Sequence, residues 1–219
     1  MKNLLIILIA LFGYTSIQAQ NETTKMDTLS YSVGVLLAKN LKNQGLDQVD
    51  SKSLSQAIED VLGGKTLQVS PEEANAIFRK YMTEKQSRAK LENLEKGNAF
   101  LTANAKREEV NTLESGLQYE VMKRGDGPSP KATDKVTVHY HGTLINGTVF
   151  DSSVNRGEPA TFPVNGVIKG WVEALQLMAV GDKWKLFIPA NLAYGERGAG
   201  GDIGPNETLI FEVELLKIN

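Results

Sequence analysis

VTVHYHGTLINGTVFDSS, residues 136–153, decides the fold. Val136, Val138 and Tyr140 alternate with Thr137, His139 and His141, the period-2 pattern of a strand with one buried face. Asn146-Gly147 interrupts the run, and Thr148, Val149 and Phe150 resume it. Asn-Gly between two apolar runs predicts a hairpin with a two-residue primed turn, whose central residues both take positive φ. The second strand carries an aromatic, Phe150, next to a carboxylate, Asp151. That carboxylate must reach water or a donor, because an unpaired buried charge is costly. Tyr140 has an O–H to donate. Strict pairing across a two-residue turn puts Tyr140 and Asp151 on one face and Phe150 on the other. Only a bulge or a strong twist brings all three into one pocket.

Outward from this hairpin the chain keeps producing short strands. Leu117, Tyr119 and Val121 alternate before the turn cluster Gly125-Asp126-Gly127-Pro128. After Arg156-Gly157, residues 161–164 form a short edge piece bounded by Pro159 and Pro163. Ile168, Trp171, Val172, Leu175 and Met178 mark one short helix, closed by Gly181. Trp184, Leu186 and Ile188 alternate up to Pro189, and Leu209, Phe211, Val213 and Leu215 alternate near the end. Several strands around one helix make this half α+β.

The chain ahead of it reads as helical. Leu29, Val33, Leu36, Leu37 and Leu41 have amphipathic spacing, with Gly45 placed to end the helix. A second helix follows Asp50 or Ser51, with Leu54, Ala57, Ile58, Val61 and Leu62 on one side, and stops at Gly63-Gly64. Two helices this short offer little core alone. Ser70-Pro71-Glu72-Glu73 is a capping box with proline at the first helical position. A helix from there to about Asn104 would be on the order of 50 Å long. Its stretch over 84–98 is mostly charged or amide, which suits a solvated connector, and Gly97 is the one point where it would break into two.

Residues 1–20 read as a secretory signal peptide: Lys2, an unbroken apolar run over 4–12, and the small residue Ala19 before Gln20. Without Lys2, 23 Lys and Arg face 26 Asp and Glu, a balance that argues against a nucleic-acid partner. There is no cysteine, so no disulfide staples the fold.

Residues that could carry chemistry are few. His139 and His141 share one face, but they are the only histidines and no cysteine helps, so a metal site is not expected. Surface histidines are the better account, and neither has a nucleophile close in sequence. GERGAGGDIG at 195–204 lacks the Gly-Lys-Ser/Thr ending of a phosphate loop and leads into a strand rather than a helix, so it reads as a flap over a site. The aromatic supply of this half is large: Tyr140, Phe150, Phe162, Trp171, Tyr194 and Phe211. An ordinary core would account for it. Tyr194 ends a loop and Trp171 begins a helix, however, and pockets form at such element ends.

At these residues the chain from about 115 to 218 resembles the FK506-binding-protein type of peptidyl-prolyl cis-trans isomerase. The motifs are VTVHYHG (136–142), FDSS (150–153), VIKGW (167–171), LAYG (192–195) and TLIFEVELL (208–216). The helices ahead resemble the dimerisation segment of the macrophage-infectivity-potentiator and FkpA subgroup, through GNAFLTANAK (97–106). The resemblance implies an α+β chain in three parts: a signal peptide (1–20), an all-α dimerisation segment with a long connecting helix (21–106), and a C-terminal domain (107–219). That domain is an antiparallel half-barrel sheet around one helix. Asp151, Tyr194, Ile168 and Tyr140 would be catalytic. Tyr194 and the Ile168 N–H would hold substrate carbonyls, and Asp151 would sit near the twisting one, held by Tyr140, with Arg156 holding the loop. Phe150, Phe162, Val167, Trp171, Ile203 and Phe211 would bind substrate.

The implied function is isomerisation of X–Pro bonds in unfolded or nascent secreted polypeptides, by a homodimer in the periplasm, free or against the outer membrane. No cofactor is called for. A macrolide of the FK506 type would be an inhibitor. Against small single-domain members, Ala160 replaces a common aromatic, Ala199 a bulkier flap residue and Gly204 a frequent proline. The competing reading is a holding chaperone, in which the helical dimer forms a cleft for unfolded chains and the pocket is secondary.

Overall fold

The computed structural model describes residues 26–46 and 48–219. The apolar run over 4–12 and Ala19 lie outside the described residues. Helix α1 (Thr28–Asn43) starts on Asp27, whose carboxylate accepts the Ser30 N–H at 2.9 Å. It closes at Gly45, whose φ of 69° is one that glycine adopts freely. Helix α2 (Ser51–Leu62) starts on Asp50, which accepts the Ser53 N–H, and ends before Gly63-Gly64. Helix α3 (Pro71–Asn104) carries the expected capping box: Ser70 Oγ accepts the Glu73 N–H, and Glu73 accepts the Ser70 N–H. It runs unbroken through Gly97. By its contacts the chain divides into residues 1–56, which hold α1, and 57–219, which hold α3 and everything after it. Among the described residues no helix is long and apolar enough to cross a membrane.

Seven strands follow: β1 (Val110–Thr112), β2 (Gln118–Lys123), β3 (Lys135–Leu144), β4 (Val149–Ser152), β5 (Ala160–Pro163), β6 (Lys183–Ile188) and β7 (Leu209–Ile218). Between them lie two helices, α4 (Ser153–Arg156) and α5 (Lys169–Leu177). The sheet order is β1-β2-β6-β7-β3-β4, with β5 also on β3, and every pairing is antiparallel. The alternation seen in the sequence becomes burial: Val136, Val138 and Tyr140 of β3 and Leu209, Phe211, Val213 and Leu215 of β7 all point into the core. Trp171, Ala174 and Leu175 of α5 fill the concave side. Gly170 allows that close approach, since a Cβ there would lie 2.6 Å from Ile188 Cγ2.

Two expectations need correction. The hairpin between β3 and β4 does not turn in two residues. Leu144 N–H donates to the Thr148 carbonyl and Gly147 N–H to the Leu144 carbonyl, so the loop holds three residues, 145–147. Only Gly147 takes positive φ, at 86°, while Asn146 uses its side chain to accept the Thr148 N–H at 2.9 Å. That is the three-residue form of hairpin, with the left-handed position at its end.

Nor is the polar stretch of α3 a wholly solvated connector. Its second half packs on the sheet domain: Asn93 donates to the Pro205 carbonyl, and Gly97 clears room for Thr208. Further along, the Phe100 ring of α3 lies 5.9 Å from Phe187. This is why Phe187 is buried although it faces away from Leu186 and Ile188. Asn104 and Gln118, both buried, bond to each other at 2.9 Å.

Candidate active site

The register of the hairpin builds the site. Gly142 pairs with Asp151 and Thr143 with Val149, so Phe150 is the extra residue of a bulge. A bulge re-aims the side chains around it. Phe150 and Asp151 therefore both reach the cavity that Tyr140 faces. The Tyr140 hydroxyl donates to Asp151 Oδ2 at 2.5 Å. Arg156, delivered by α4, donates to Asp151 Oδ1 and, at 2.8 Å, to the Tyr140 oxygen. Burial pushes the Asp151 carboxyl up, but the Tyr140 and Arg156 hydrogen bonds and the guanidinium charge outweigh it and hold the group below its ordinary value of 3.8. Burial and the neighbouring carboxylate raise the Tyr140 hydroxyl. With both partners nearly half exposed, the Asp151–Arg156 pair adds little to stability; it fixes where the charge sits.

The cavity has a volume of about 570 Å³. Tyr140, Phe150, Asp151, Phe162 and Phe211 reach it from the strands and their ends, and Val167, Ile168 and Trp171 from the start of α5. Tyr194 and Ile203 close it from the loop side. All ten residues singled out from the sequence thus line one cavity. Trp171 lies 5.4 Å from Tyr140 and 5.2 Å from Phe211, edge to face in both cases, a favourable aromatic geometry. Ile168 is the N-cap of α5, and Tyr194 stands 41% exposed at the rim.

Gly166, Gly200 and Asp202 also line the cavity; the last two belong to the stretch read as a flap, but neither they nor Gly166 stood out as individual site residues. They sit in loops, where no periodicity marks an inward face. Ala160 packs against the core instead of lining the cavity. The two histidines are half-buried: His139 Nδ1 lies 3.1 Å from Ser153 Oγ and His141 Nδ1 2.9 Å from Ser152 Oγ. Ser153 is fully buried and its hydroxyl holds the Tyr140 backbone, so these serines are structural.

Fold and site together define an α+β half-barrel protein with an aromatic cavity of peptide size and one anchored carboxylate. Residues 127–216 match the family model described as FKBP-type peptidyl-prolyl cis-trans isomerase. Residues 26–121 match the domain amino terminal to that isomerase. The FKBP-type 22 kDa peptidyl-prolyl cis-trans isomerase of Escherichia coli is 48% identical over 204 residues, covering 90% of this chain and 98% of its own. The peptidyl-prolyl cis-trans isomerase Mip of Coxiella burnetii is 45% identical over 217 residues, 95% of this chain and 93% of its own. The crystal structure of FkpA from Escherichia coli superimposes with a TM-score of 0.71 at 37% identity, covering 87% of this chain and 93% of that one. The chain belongs to the FKBP-type peptidyl-prolyl cis-trans isomerases, in the group of Mip and FkpA. It is an enzyme that isomerises X–Pro bonds, and these matches favour that activity over the holding-chaperone alternative.

Proposed function

We propose that the aromatic cavity is where this isomerase turns the X–Pro bonds of unfolded polypeptides exported from the cytoplasm. The observation that carries the reading is an aromatic-walled cavity in which the Asp151 carboxylate is held in place by Tyr140 and Arg156. Rotation about an amide costs about 18–20 kcal/mol because resonance is lost. The twisted amide is less charge-separated than the planar one, so a dry pocket disfavours the ground state relative to the transition state. Trp171 is the floor for the proline ring. The Ile168 N–H and the Tyr194 hydroxyl hold substrate carbonyls on either side while the bond turns. Asp151 lies beside the twisting carbonyl. No covalent bond is made or broken.

The test is the rate of isomerisation of a Leu-Pro or Phe-Pro peptide. The chain lacking residues 1–20 is expected to accelerate it, and Asp151→Ala to lower kcat/KM roughly tenfold to a hundredfold with folding intact by circular dichroism. Unchanged turnover in that variant overturns the site assignment. Because the folded pKa of Asp151 is depressed, its contribution is complete above the ordinary value of 3.8 and is lost only as pH falls through the lower folded value. Activity is therefore expected to stay level from about pH 8 to about pH 5 in the wild type. A steep loss within that range would mean that another group titrates.

We further propose that the chain works as a homodimer through its helices. No residue of α1 is buried, and Leu29 and Leu36 stand 73% and 68% exposed. A second copy is the occupant that the segment ahead of the isomerase domain, residues 21–106, is suited to take. Light scattering at micromolar concentration is expected to give twice the chain mass; a monomer refutes this. Export to the periplasm is part of the same proposal, and the leader-like residues 1–20 support it. Amino-terminal sequencing of the protein recovered there checks it, and retention of Met1 overturns it.

A further inference from the structure

The flap over residues 195–206 forms one wall of the cavity through Ala199, Gly200, Asp202 and Ile203. Its tip closes on itself, with the Ala199 N–H donating to the Ile203 carbonyl at 3.0 Å and the Ile203 N–H returning to Ala199 at 3.2 Å. Besides one 3-10 turn over Gly195–Arg197, the flap is rich in glycine: Gly195, Gly198 and Gly200 all take positive φ, and glycine keeps the largest conformational freedom to lose. A wall that meets the substrate in a fixed place needs fastening from outside. Here that fastening comes from α3.

Asn93 Nδ2 donates to the Pro205 carbonyl at 2.9 Å, and Asn206 Nδ2 donates to the Lys90 carbonyl at 3.1 Å. Both bonds are partly buried and cross between helix and flap base. Among the described residues Asn206 is the one non-glycine with positive φ, at 56°. Asparagine is one of the few side chains that tolerates that conformation. Its backbone N–H donates to the Gly195 carbonyl at 2.8 Å, so the residue that reaches α3 also ties the two ends of the flap together. Lys90 pairs with Glu196 at 3.0 Å, but Glu196 is 75% exposed and the pair weighs little beside the amides. Gly204 fits the same arrangement. A Cβ there would lie 3.3 Å from Asn93 Nδ2, so the proline favoured in the single-domain pattern would crowd the donor.

We propose that Asn93 and Asn206 are positioning residues for isomerisation: through them α3 holds the flap so that Ile203 meets the bound peptide. Neither touches the reacting amide. The inference rests on the cavity being the active site. A released flap presents its wall only part of the time, and apparent affinity falls by that fraction. Once peptide is bound the wall is in place, so the rotation step is unchanged. KM rises and kcat does not.

The experiment uses the full chain carrying Asn93→Ala or, separately, Asn206→Gly, which leaves positive φ accessible. NMR exchange on a Leu-Pro peptide separates KM from kcat. Each variant is expected to raise KM about fivefold, the factor that one amide–carbonyl hydrogen bond commonly carries, with kcat unchanged. Hydrogen exchange is expected to quicken at Ala199 and Ile203 while the sheet amides of Val138 and Val213 stay protected. Unchanged KM overturns the proposal. So does a fall in kcat accompanied by faster exchange throughout the sheet, which is general loosening. If Asn206→Gly does not fold, Asn93→Ala decides, since it leaves the flap backbone untouched. The two readings fail separately: turnover that survives Asp151→Ala overturns the active-site assignment, whereas unchanged KM in Asn93→Ala overturns only the role of α3.

Discussion

Trp171→Ala is expected to abolish most of the turnover, lowering kcat/KM by about two orders of magnitude, the scale on which misplaced substrate loses rate. The indole is 4% exposed, and Tyr140, Phe162 and Phe211 pack around it at 5.4, 6.1 and 5.2 Å between ring centres. Removing it deletes the floor of the cavity and the surface against which those three rings are ordered. Stability falls as well, by about 3–5 kcal/mol for a buried tryptophan cut to alanine. That is a large share of the roughly 5–15 kcal/mol that holds a domain folded. The comparison must therefore be made at a temperature where circular dichroism shows the variant folded.

Trp171→Phe separates the two effects. It keeps an aromatic plate and removes the indole N–H, which is buried without an acceptor among the described residues. An unsatisfied donor costs about 1–3 kcal/mol, so part of the lost packing is offset. Turnover is expected to fall much less in this variant than in Trp171→Ala. Folded Trp171→Ala that turns over peptide within twofold of wild type would show that the floor is not where proline sits.

Much of this site was legible in the sequence because its residues lie in short runs whose types are fixed by local structure. Tyr140 falls on the buried phase of β3, Phe211 on that of β7, and Trp171 on the inner face of a helix one can draw from spacing alone. The capping box of α3 was legible for the same reason, since all its partners lie within four residues. What spacing could not supply was anything decided by distant chain. The bulge that turns Phe150 inward follows from the ring packing edge to face on Phe211, 5.3 Å away on another strand. The bonds from α3 to the flap join residues 112 and 116 positions apart. Asn93 looked like one amide among many charges on a solvated helix. The alternation of β6 assigns Phe187 the outer face, and Phe100 of α3 and the Arg107 guanidinium lie over it. Local pattern sets which face is apolar; what covers the other face is a property of the assembled chain.

The second large effect is expected from a single methyl group. Gly142 lies opposite Asp151 in the hairpin, beneath the two rings that wall the cavity. A Cβ built there would stand 2.7 Å from Phe150 Cε2 and Cζ and 2.7 Å from Phe211 Cε1. Its φ is not in the left-handed region, so alanine meets no backbone strain and the whole cost is steric. Both neighbours are flat rings held by other rings, with no flexible end to swing aside. Overpacking of this kind costs about 1–3 kcal/mol. Against it stands a gain of about 0.4–1 kcal/mol from restricting the unfolded chain, which is smaller. Gly142→Ala is therefore expected to lower Tm by roughly 2–8 °C. Because the displaced rings are Phe150 and Phe211, kcat/KM is expected to fall further than the lost stability explains at a temperature well below Tm. Thermal denaturation beside the X–Pro assay reads both. An unchanged Tm with full turnover would mean that the rings give way freely, and that the tight approach of β3 to the cavity wall plays no part in shaping it.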